Sequence, residues 1–598
     1  MKKTLPALAL AAIVFAIYAP ALKNGFVWDD TAIILRDPLI RSWRLIPEGF
    51  QHFLFTDATA SNFYRPIQRL TNTLDYGAFA FRPAGYHLTS ILLHVGAALA
   101  LLLCANQLLD YFGVEPGKRR VIAFLATLAW AIHPLHSSAV VYVSGRADPL
   151  AAAFGFLGLY FALRSAGGQS YGFVPDGSSS NGRRWLFLFL AGACFLLAAL
   201  SKETGLLFLL IWGAVLGCRK KWRELIPASV VVAFVTVIYL SLRLSAEQVV
   251  PPRLHEPTPL LTRPVFAARA LADYTGLVLM PTNLRMDRDV ELYSHAGDKG
   301  YGIISVYGAK TILGALLAAA ALYWLIRSWK SAPAISTCLL LATIAYLPVS
   351  GVFSLNATIA EHWVYVPTAF LFLACALFVG RLRISKSLIG ATLGVWFLFL
   401  GVRTWVRNFD WRDQRTFLEH NLAAGGDSSR MLINLAGLEL SQEQFDAAKR
   451  HLNLALKKEP NQPLAILNLA TIAVRQNDFR AAHELIDRAA TVSFTAAKAH
   501  ELLAVLDYKE TGLINVIRFR LAARTGSPDW SIEKRYIQAL DESGALTSAI
   551  DELKSCLAIQ WYRAESWQLL SDLLTKAGRT SEAIEARGRA RAYDVHLD

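Results

Sequence analysis

The chain has 598 residues, 54% of them apolar, and its mean hydropathy of +0.36 is too high for a globular protein with a wetted surface. Its formal net charge of +14 lies largely in short loops between apolar runs, so it does not indicate nucleic-acid binding. The six cysteines are scattered without a CxxC pair, which excludes a disulfide scaffold and a zinc knuckle. We therefore predict a multi-span membrane protein.

Apolar stretches close to the roughly 20 residues that cross a bilayer recur through the first two thirds of the chain. We predict about eleven spans, at 4–22, 87–110, 121–141, 148–164, 185–200, 204–218, 225–243, 303–328, 335–353, 364–381 and 388–405. The further apolar stretch 263–284 is interpreted as a re-entrant or surface helix, because another crossing would place Arg327 and Lys330 outside. The first run is alternatively a signal peptide cleaved near Ala19–Ala21.

Basic residues fall in every second loop, which fixes the expected orientation. The clusters lie at 2–3, 118–120, 183–184, 219–223, 327–330 and 381–386. This pattern places the N-terminus in the cytoplasm, and an odd number of crossings then leaves everything after Trp405 outside. The expected location is a bacterial inner membrane, with the C-terminal part in the periplasm.

Beyond residue 426 the composition becomes mixed and a period of 34 residues begins. Small residues repeat at this spacing, in the series Ala436, Ala470, Ala504; Ala455, Ala489, Ala523; and Ala549, Ala583. The period is that of tetratricopeptide repeats, in which small residues let paired helices approach closely. The sequence thus predicts an all-α protein, with a membrane domain over 1–410 and a repeat solenoid over 426–598 that offers a groove for a polypeptide.

The predicted topology places the unusual polar clusters together on the outer side. The first outer loop holds Asp29 and Asp30 in "NGFVWDD" and Arg65 in "YRP"; the second holds His133, His136, Arg146 and Asp148; the third is "SKET", with Lys202 and Glu203. Ionisable groups at a membrane edge cost free energy unless they are used or paired. Their convergence on one face predicts a functional site.

Six motifs in this order resemble one family over nearly the whole chain. They are "GFVWDD", "YRPIQRLTNTLDY", "GYHLTSILLH", "HPLHSSAVVYVSGRAD", "LSKETG" and "EHWVYVP". The sequence resembles the transmembrane and tetratricopeptide repeat-containing proteins, relatives of the protein O-mannosyltransferases. The resemblance implies a GT-C fold and a glycosyltransferase that moves a sugar, mannose by expectation, from a polyprenyl phosphate carrier to a protein hydroxyl outside the cytoplasm. Its implied partners are the donor lipid, the bilayer and an acceptor polypeptide held by the repeats.

The paired acids Asp29 and Asp30 are the predicted catalytic residues. Transfer to a hydroxyl needs a base to take the acceptor proton, and a neighbouring acid strengthens that base by like-charge repulsion, or holds the acceptor or a metal. Adjacent side chains in an extended segment point in different directions, so one acid is expected to face the acceptor while the other braces the loop. The alternative is a solvated loop start or a helix cap.

Cationic and imidazole groups are expected to meet the leaving phosphate. The candidates are Lys202, Arg146, Arg65, His133 and His362, supported by Glu203 and His136. The alternatives are a Lys202 that snorkels to the headgroups, an Arg146 paired with Asp148, and a Glu203 paired with Lys202. His133 and His136 fall short of a metal site, and Pro134 between them indicates a structural turn. No metal site is predicted, although a divalent metal cofactor remains open.

Two other functions are open at this point. A membrane-anchored scaffold or chaperone would use the repeats alone, and the outer acids would then be dispensable. A transporter would place its ionisable groups near mid-membrane, whereas here they lie mainly at the outer edge. The sugar, the carrier lipid and the acceptor are not specified by the sequence.

The orientation gives the first testable prediction. A reporter enzyme fused after Asp598 is expected to be active only outside the cytoplasm, because the repeats follow an odd number of crossings. A paired fusion after Lys221, in a predicted inner loop, should be active only inside. Cytoplasmic activity of the C-terminal fusion would overturn both the span count and the placement of the outer loops.

Overall fold

A computed structural model describes residues 4–56, 62–166, 180–246, 260–288, 306–353, 355 and 359–597. Helices make up nearly all the regular structure in these ranges, where the β-structure is an isolated antiparallel bridge between Arg288 and Ile359. The prediction of an all-α protein is confirmed.

The described part of the membrane half contains fifteen α-helices. They are α1 (Leu5–Tyr18), α2 (Ile46–Gly49), α3 (Pro66–Phe79), α4 (Pro83–Tyr111), α5 (Pro116–Ala131), α6 (Ser137–Val140), α7 (Ala147–Ser165), α8 (Ser180–Ser201), α9 (Leu207–Cys218), α10 (Trp222–Ser245), α11 (Arg263–Leu279), α12 (Val306–Ser328), α13 (Pro333–Tyr346), α14 (Tyr365–Val379) and α15 (Lys386–Arg407). Each of the predicted apolar stretches overlaps at least one of these helices.

Seven helices are long and apolar enough to cross a bilayer, or eight if one bent pair counts as a span, over the part of the chain that the structure describes. The seven are Leu5–Lys23, Pro83–Tyr111, Gly182–Ser201, Trp222–Ser245, Gly308–Ser328, Glu361–Val379 and Lys386–Trp411. Glu203–Cys218 and Pro333–Val349 are apolar but shorter. A multi-span membrane protein is thus confirmed, while the number eleven and the surface position of 263–284, which contains α11, stay predictions.

The predicted span 121–141 is wrong as one continuous helix. Pro116–Ala131 and Pro134–Val140 are bent by 52° at the break between them. Pro134 has no N–H and disfavours helical backbone at His133, whose ψ of 129° is extended. The expected structural turn at Pro134 is therefore present, and it leads directly into the second predicted outer loop.

The "SKETG" turn between α8 and α9 depends on a glycine. A Cβ on Gly205 would lie 2.3 Å from the backbone oxygen of Ala198 in α8. The absent side chain lets the turn pack directly against α8, with the Gly205 N–H donating to the carbonyl of Lys202 at 2.8 Å. This close approach fixes the backbone that carries Lys202 and Glu203.

The C-terminal part is a linking helix followed by five helix pairs, as the period predicts. The linking helix is α16 (Gln414–Ala423), and the pairs are α17 (Ser429–Ser441) with α18 (Phe445–Lys458), α19 (Pro463–Arg475) with α20 (Phe479–Ala490), α21 (Ser493–Thr511) with α22 (Val516–Ala523), α23 (Trp530–Glu542) with α24 (Leu546–Ile559), and α25 (Ala564–Lys576) with α26 (Thr580–Tyr593). Each turn within a pair has one residue at positive φ, namely Glu443, Asn477, Gly512, Gly544 and Gly578. Of the periodic alanines all are buried except Ala523, which is half-buried.

Both ends of the solenoid region contact the first outer loop. At its beginning, the guanidinium of Arg430 in α17 lies 5.5 Å from the centre of the Trp28 ring, and just before α16 the Gly25 N–H donates to the carbonyl of Arg412 at 2.8 Å. At its end, the Ser42 hydroxyl donates to the carbonyl of Ala592 at 3.0 Å, and the Tyr76 hydroxyl donates to Asp594 at 2.8 Å. The repeats are therefore attached to the loop that carries the acids, and do not hang from a flexible tether.

Gly205 gives the second prediction. Gly205→Ala forces a methyl group against the Ala198 carbonyl and is expected to cost about 1–3 kcal/mol of stability, or to prevent insertion. Gly213→Ala is the matched control, because a Cβ there meets nothing within 4 Å. Melting temperatures in detergent distinguish the two variants. Equal melting temperatures would contradict the close approach at "SKETG".

Candidate active site on the outer loops

Asp30 is a buried structural carboxylate. One of its oxygens accepts from the backbone N–H and from the hydroxyl of Ser144, each at 2.7 Å, and the other accepts from the Val27 N–H at 3.1 Å. The side chain is fully buried, and burial raises its pKa to about 7 against these hydrogen bonds, with a smaller contribution from the charge of Asp29. Asp30 therefore joins the first outer loop to the second, and a π-helical turn, Thr31–Leu35, follows it.

Asp29 is half-buried, and its environment differs from that of its neighbour. Its side chain is hydrogen-bonded by Tyr142, whose hydroxyl oxygen also accepts from the Asp29 backbone N–H at 3.3 Å. Burial raises the pKa of Asp29, while Tyr142, Arg430 and Arg65 act in the opposite direction. The adjacent acids thus differ in environment, with Asp30 bracing the loop and Asp29 partly exposed.

The predicted cations form ion pairs across the loops. Lys202 donates to Asp148 at 2.6 Å, whereas Arg65 pairs with Glu203 at 3.1 Å. The alternative in which Glu203 pairs with Lys202 is therefore wrong. Glu203 also accepts from the backbone N–H of Tyr64 at 3.1 Å, so it anchors the start of α3.

Arg146 is fully buried, and its hydrogen bonds stabilise the fold. It donates to Asp75 at 2.5 Å and to the carbonyl of Tyr86 at 2.7 Å. The proposed pairing with Asp148 is wrong, because Asp148 is taken by Lys202. The proposed phosphate contact of Arg146 is likewise corrected, since a guanidinium with no exposed surface does not meet a ligand without the loop opening.

His133 and His136 are also inside the protein. Nε2 of His133 lies 3.0 Å from the carbonyl of Val278, and its Nδ1 accepts from the N–H of Leu135. His136 is fully buried against the rings of Trp130 and Tyr365. Neither imidazole is available to a phosphate, so the predicted donor contact of His133 and the supporting contact of His136 are corrected to packing roles.

His362 lies close to the cations. It is half-buried, its Nδ1 has no hydrogen-bond partner, and it experiences the positive charges of Lys202 and Arg65. Arg65 in turn acts electrostatically on Asp29, Asp148 and Lys202. The structure thus brings Asp29, Arg65, Lys202, Glu203 and His362 into one electrostatic neighbourhood.

Sequence reasoning missed three residues of this neighbourhood. Tyr142 and Ser144 lie within the quoted motif "HPLHSSAVVYVSGRAD", but their uncharged side chains gave no reason to select them. Arg430 lies beyond the last span, in the first repeat helix, where a basic residue looks like ordinary solvated surface.

A separate cavity of about 610 Å³ runs along α15. It is lined by Thr282, Val395, Leu398, Phe399, Val402, Arg403, Val406, Asp410 and His420. None of the predicted site residues lines it.

Comparison with known proteins agrees with the motifs. A tetratricopeptide repeat family profile matches residues 439–506. Protein O-mannosyl-transferase F38B6.6 of Caenorhabditis elegans is 23% identical over 469 residues, covering 74% of this chain and 61% of that protein. Protein O-mannosyl-transferase TMTC3 of Homo sapiens is 24% identical over 519 residues, covering 79% and 54%. The resemblance to the transmembrane and tetratricopeptide repeat-containing proteins is confirmed.

The relatives are longer than this chain, which spans about three fifths of the first and about half of the second. Among solved structures, ArnT from Cupriavidus metallidurans bound to undecaprenyl phosphate aligns with a TM-score of 0.38 at 17% identity, over 83% of this chain and 81% of that chain. A TM-score this low supports no further statement about the fold.

Asp30 gives the third prediction, a pH dependence of stability. Its pKa is about 7 in the folded protein against 3.8 ordinarily, so between these values the folded state binds more protons than the unfolded state. Its contribution to stability is present below pH 4 and is lost as the pH rises through 7. Asp30→Asn is expected to flatten the fall in melting temperature between pH 5 and 8, and to cost about 1–3 kcal/mol because the Val27 N–H loses its acceptor.

The exposed Asp446→Asn is the matched control, since it removes a carboxylate on the surface of α18 and should leave the pH dependence intact. If the melting temperatures of the wild type and Asp30→Asn changed with pH in parallel, ionisation of Asp30 would not destabilise the folded protein.

Proposed function

We propose that the protein is a membrane glycosyltransferase of the GT-C class. It moves a sugar, which we expect to be mannose, from a polyprenyl phosphate to a hydroxyl of a polypeptide on the outer face of the membrane. The observation that carries the proposal is the half-buried Asp29, held beside Tyr142 and within reach of the charge of Arg65. The names of the curated relatives, which are protein O-mannosyl-transferases, support the same reaction class.

Asp29 acts as the general base in this proposal. Its carboxylate takes the proton of the acceptor hydroxyl while the hydroxyl oxygen forms a bond to the anomeric carbon of the sugar. A general base works best when its pKa lies near the working pH without exceeding it; burial raises the pKa of Asp29, and the charges of Arg430 and Arg65 limit that rise. Tyr142 fixes the carboxylate by its hydrogen bond, which limits the number of orientations that the base samples.

Arg65 and Lys202 receive the leaving group. As the new bond forms, the bond between the anomeric carbon and the phosphate oxygen breaks, and the polyprenyl phosphate leaves with the electron pair. A guanidinium has five N–H donors and an ammonium has three, so both groups keep donors beyond those used on Glu203 and Asp148. His362, which experiences the charges of Lys202 and Arg65, is proposed to contact the same phosphate or the sugar.

The repeats hold the acceptor in this proposal, because their solenoid is attached at both ends to the loop that carries Asp29. The orientation of the site toward the outer face is inferred from the alternating basic clusters.

No residue is assigned as a ligand of a divalent metal in this mechanism. Adding a chelator to the assay described next tests whether transfer depends on a metal.

Asp29→Asn gives the fourth prediction. The purified protein is incubated with radiolabelled polyprenyl-phosphate mannose and native membranes, and label in protein is measured. Loss of a general base lowers the rate by about 10²–10⁴-fold, so Asp29→Asn should abolish most of the transfer. Lys202→Met and Arg65→Met should instead raise the donor KM, since the phosphate loses a counter-charge. Asp446→Asn is the control.

Each variant must elute and melt as a folded membrane protein. Normal transfer by a folded Asp29→Asn would remove Asp29 from the mechanism. If the wild type transferred no label and the three site variants left the phenotype and glycan profile of the cell unchanged, the scaffold function would be favoured.

A further inference from the structure

The residue before Asp29 has a strained backbone. Trp28 has a φ of +54°, a region that bulky side chains adopt only when their surroundings impose it. Its N–H donates to the Gln414 side chain at 2.7 Å, and its ring lies 5.7 Å from that of Phe417. The guanidinium of Arg430 lies 5.5 Å from the centre of the same ring. These three contacts come from the chain beyond the last span.

Arg430 is itself held in place at the first turn of α17. It pairs with Asp287 at 2.8 Å, and the same carboxylate accepts a hydrogen bond from Ser428, the N-cap of α17. Asp287 is 3% exposed, and its backbone N–H donates to the side chain of Asn421 in α16. The carboxylate that pairs with Arg430 is therefore itself held in place. The Arg430 side chain remains half-exposed, which leaves one side of it open toward solvent.

We infer that Arg430 is a positioning residue for Asp29, so that the first tetratricopeptide repeat completes the catalytic site and does more than deliver an acceptor. The inference rests on the proposed function and extends it. Arg430 holds the strained Trp28 by a cation–π contact and places a positive charge near the base. Gln414 and Phe417 support the same conformation from α16.

The groups that act on Asp29 come from four parts of the chain. They are Asp30 beside it, Tyr142 in the second outer loop, Arg65 at the start of α3 and Arg430 in the repeats. Arg430 and Arg65 both lower the pKa of Asp29, against the effect of burial. Removing Arg430 alone therefore raises that pKa, and a larger share of Asp29 is protonated at neutral pH.

Arg430→Gln is the test variant, and it is compared with three others. Arg430→Lys keeps the charge. Asp287→Asn weakens the ion pair but leaves the guanidinium beside Trp28. Arg480→Gln removes a positive charge from an exposed position in the second repeat. The rate of transfer is measured against pH, together with the donor KM and the melting temperature.

We expect Arg430→Gln to lower kcat at neutral pH by about 10-fold, less than the loss of the base itself. The acidic limb of its pH profile should shift to higher pH, with the donor KM unchanged. Arg430→Lys should restore the position of that limb, and Arg480→Gln should leave it where it is in the wild type. Asp287→Asn, which loosens Arg430 without removing its charge, should shift the limb less than Arg430→Gln does.

A second readout does not depend on transfer. Carbodiimides react with protonated carboxyl groups, so the labelling of Asp29, followed by peptide mass spectrometry across pH, reports its titration, with Asp29→Asn as the blank. The labelling midpoint should rise in Arg430→Gln and stay unchanged in Arg480→Gln.

The inference would be overturned if a folded Arg430→Gln showed the wild-type labelling midpoint of Asp29 and the wild-type acidic limb of the rate profile. It would also be overturned if Arg430→Gln and Asp287→Asn lost rate and melting temperature equally at every pH. Those results would leave the proposed function standing if Asp29→Asn is inactive. Absence of transfer in the wild type would instead contradict the proposed function, and the labelling midpoint would still decide whether Arg430 acts on Asp29.

Discussion

Carboxylates and guanidinium groups are buried together at the helix ends and in the connecting segments of the membrane half, and the protein must compensate each charge where little water reaches it. Arg69 shows how this is achieved, because it pairs with Asp37 at 2.9 Å and also donates to the carbonyls of Phe53 and Leu54. Arg407 pairs with the fully buried Glu361. The first pair closes the segment before α3 onto α3, and the second joins the end of α15 to the turn before α14.

Asp29 is conspicuous against this background of paired charge. Over the described ranges it has no ion-pair partner within 4 Å, although Asp30, Asp37 and Asp75 in the same region are all engaged. An acid that is half-buried and unpaired costs stability, and a fold retains such a group most readily where it is used. The strain at Trp28, worth on the order of 1–3 kcal/mol, is a second cost at the same place.

The sequence predicted the elements of this protein better than their contacts. Hydropathy located the helices of the membrane half and the alanine period located the five helix pairs, since both depend on neighbouring residues. Pairing between loops depends on how helices are ordered in space. Local sequence therefore offers Arg146 a phosphate, or Asp148 two residues away, whereas its partner is Asp75. Pro134 revealed a turn, but nothing local revealed that His133 and His136 on either side of it face the core.

The attachment of the solenoid at both ends determines how the repeats can take part in function. A tethered repeat domain raises the local concentration of its ligand but leaves the ligand's position free. Here the beginning of the solenoid region holds Trp28, and its last helix holds the segment around Ser42, so the groove and Asp29 keep a fixed geometry. In the proposed function, a polypeptide bound by the repeats is presented to Asp29 at a defined distance, and proximity of this kind lowers a reaction barrier only when the base is itself immobile. The same contacts that stabilise the strained loop therefore also connect the position of the repeats to that of Asp29, which is what the proposed function requires of them.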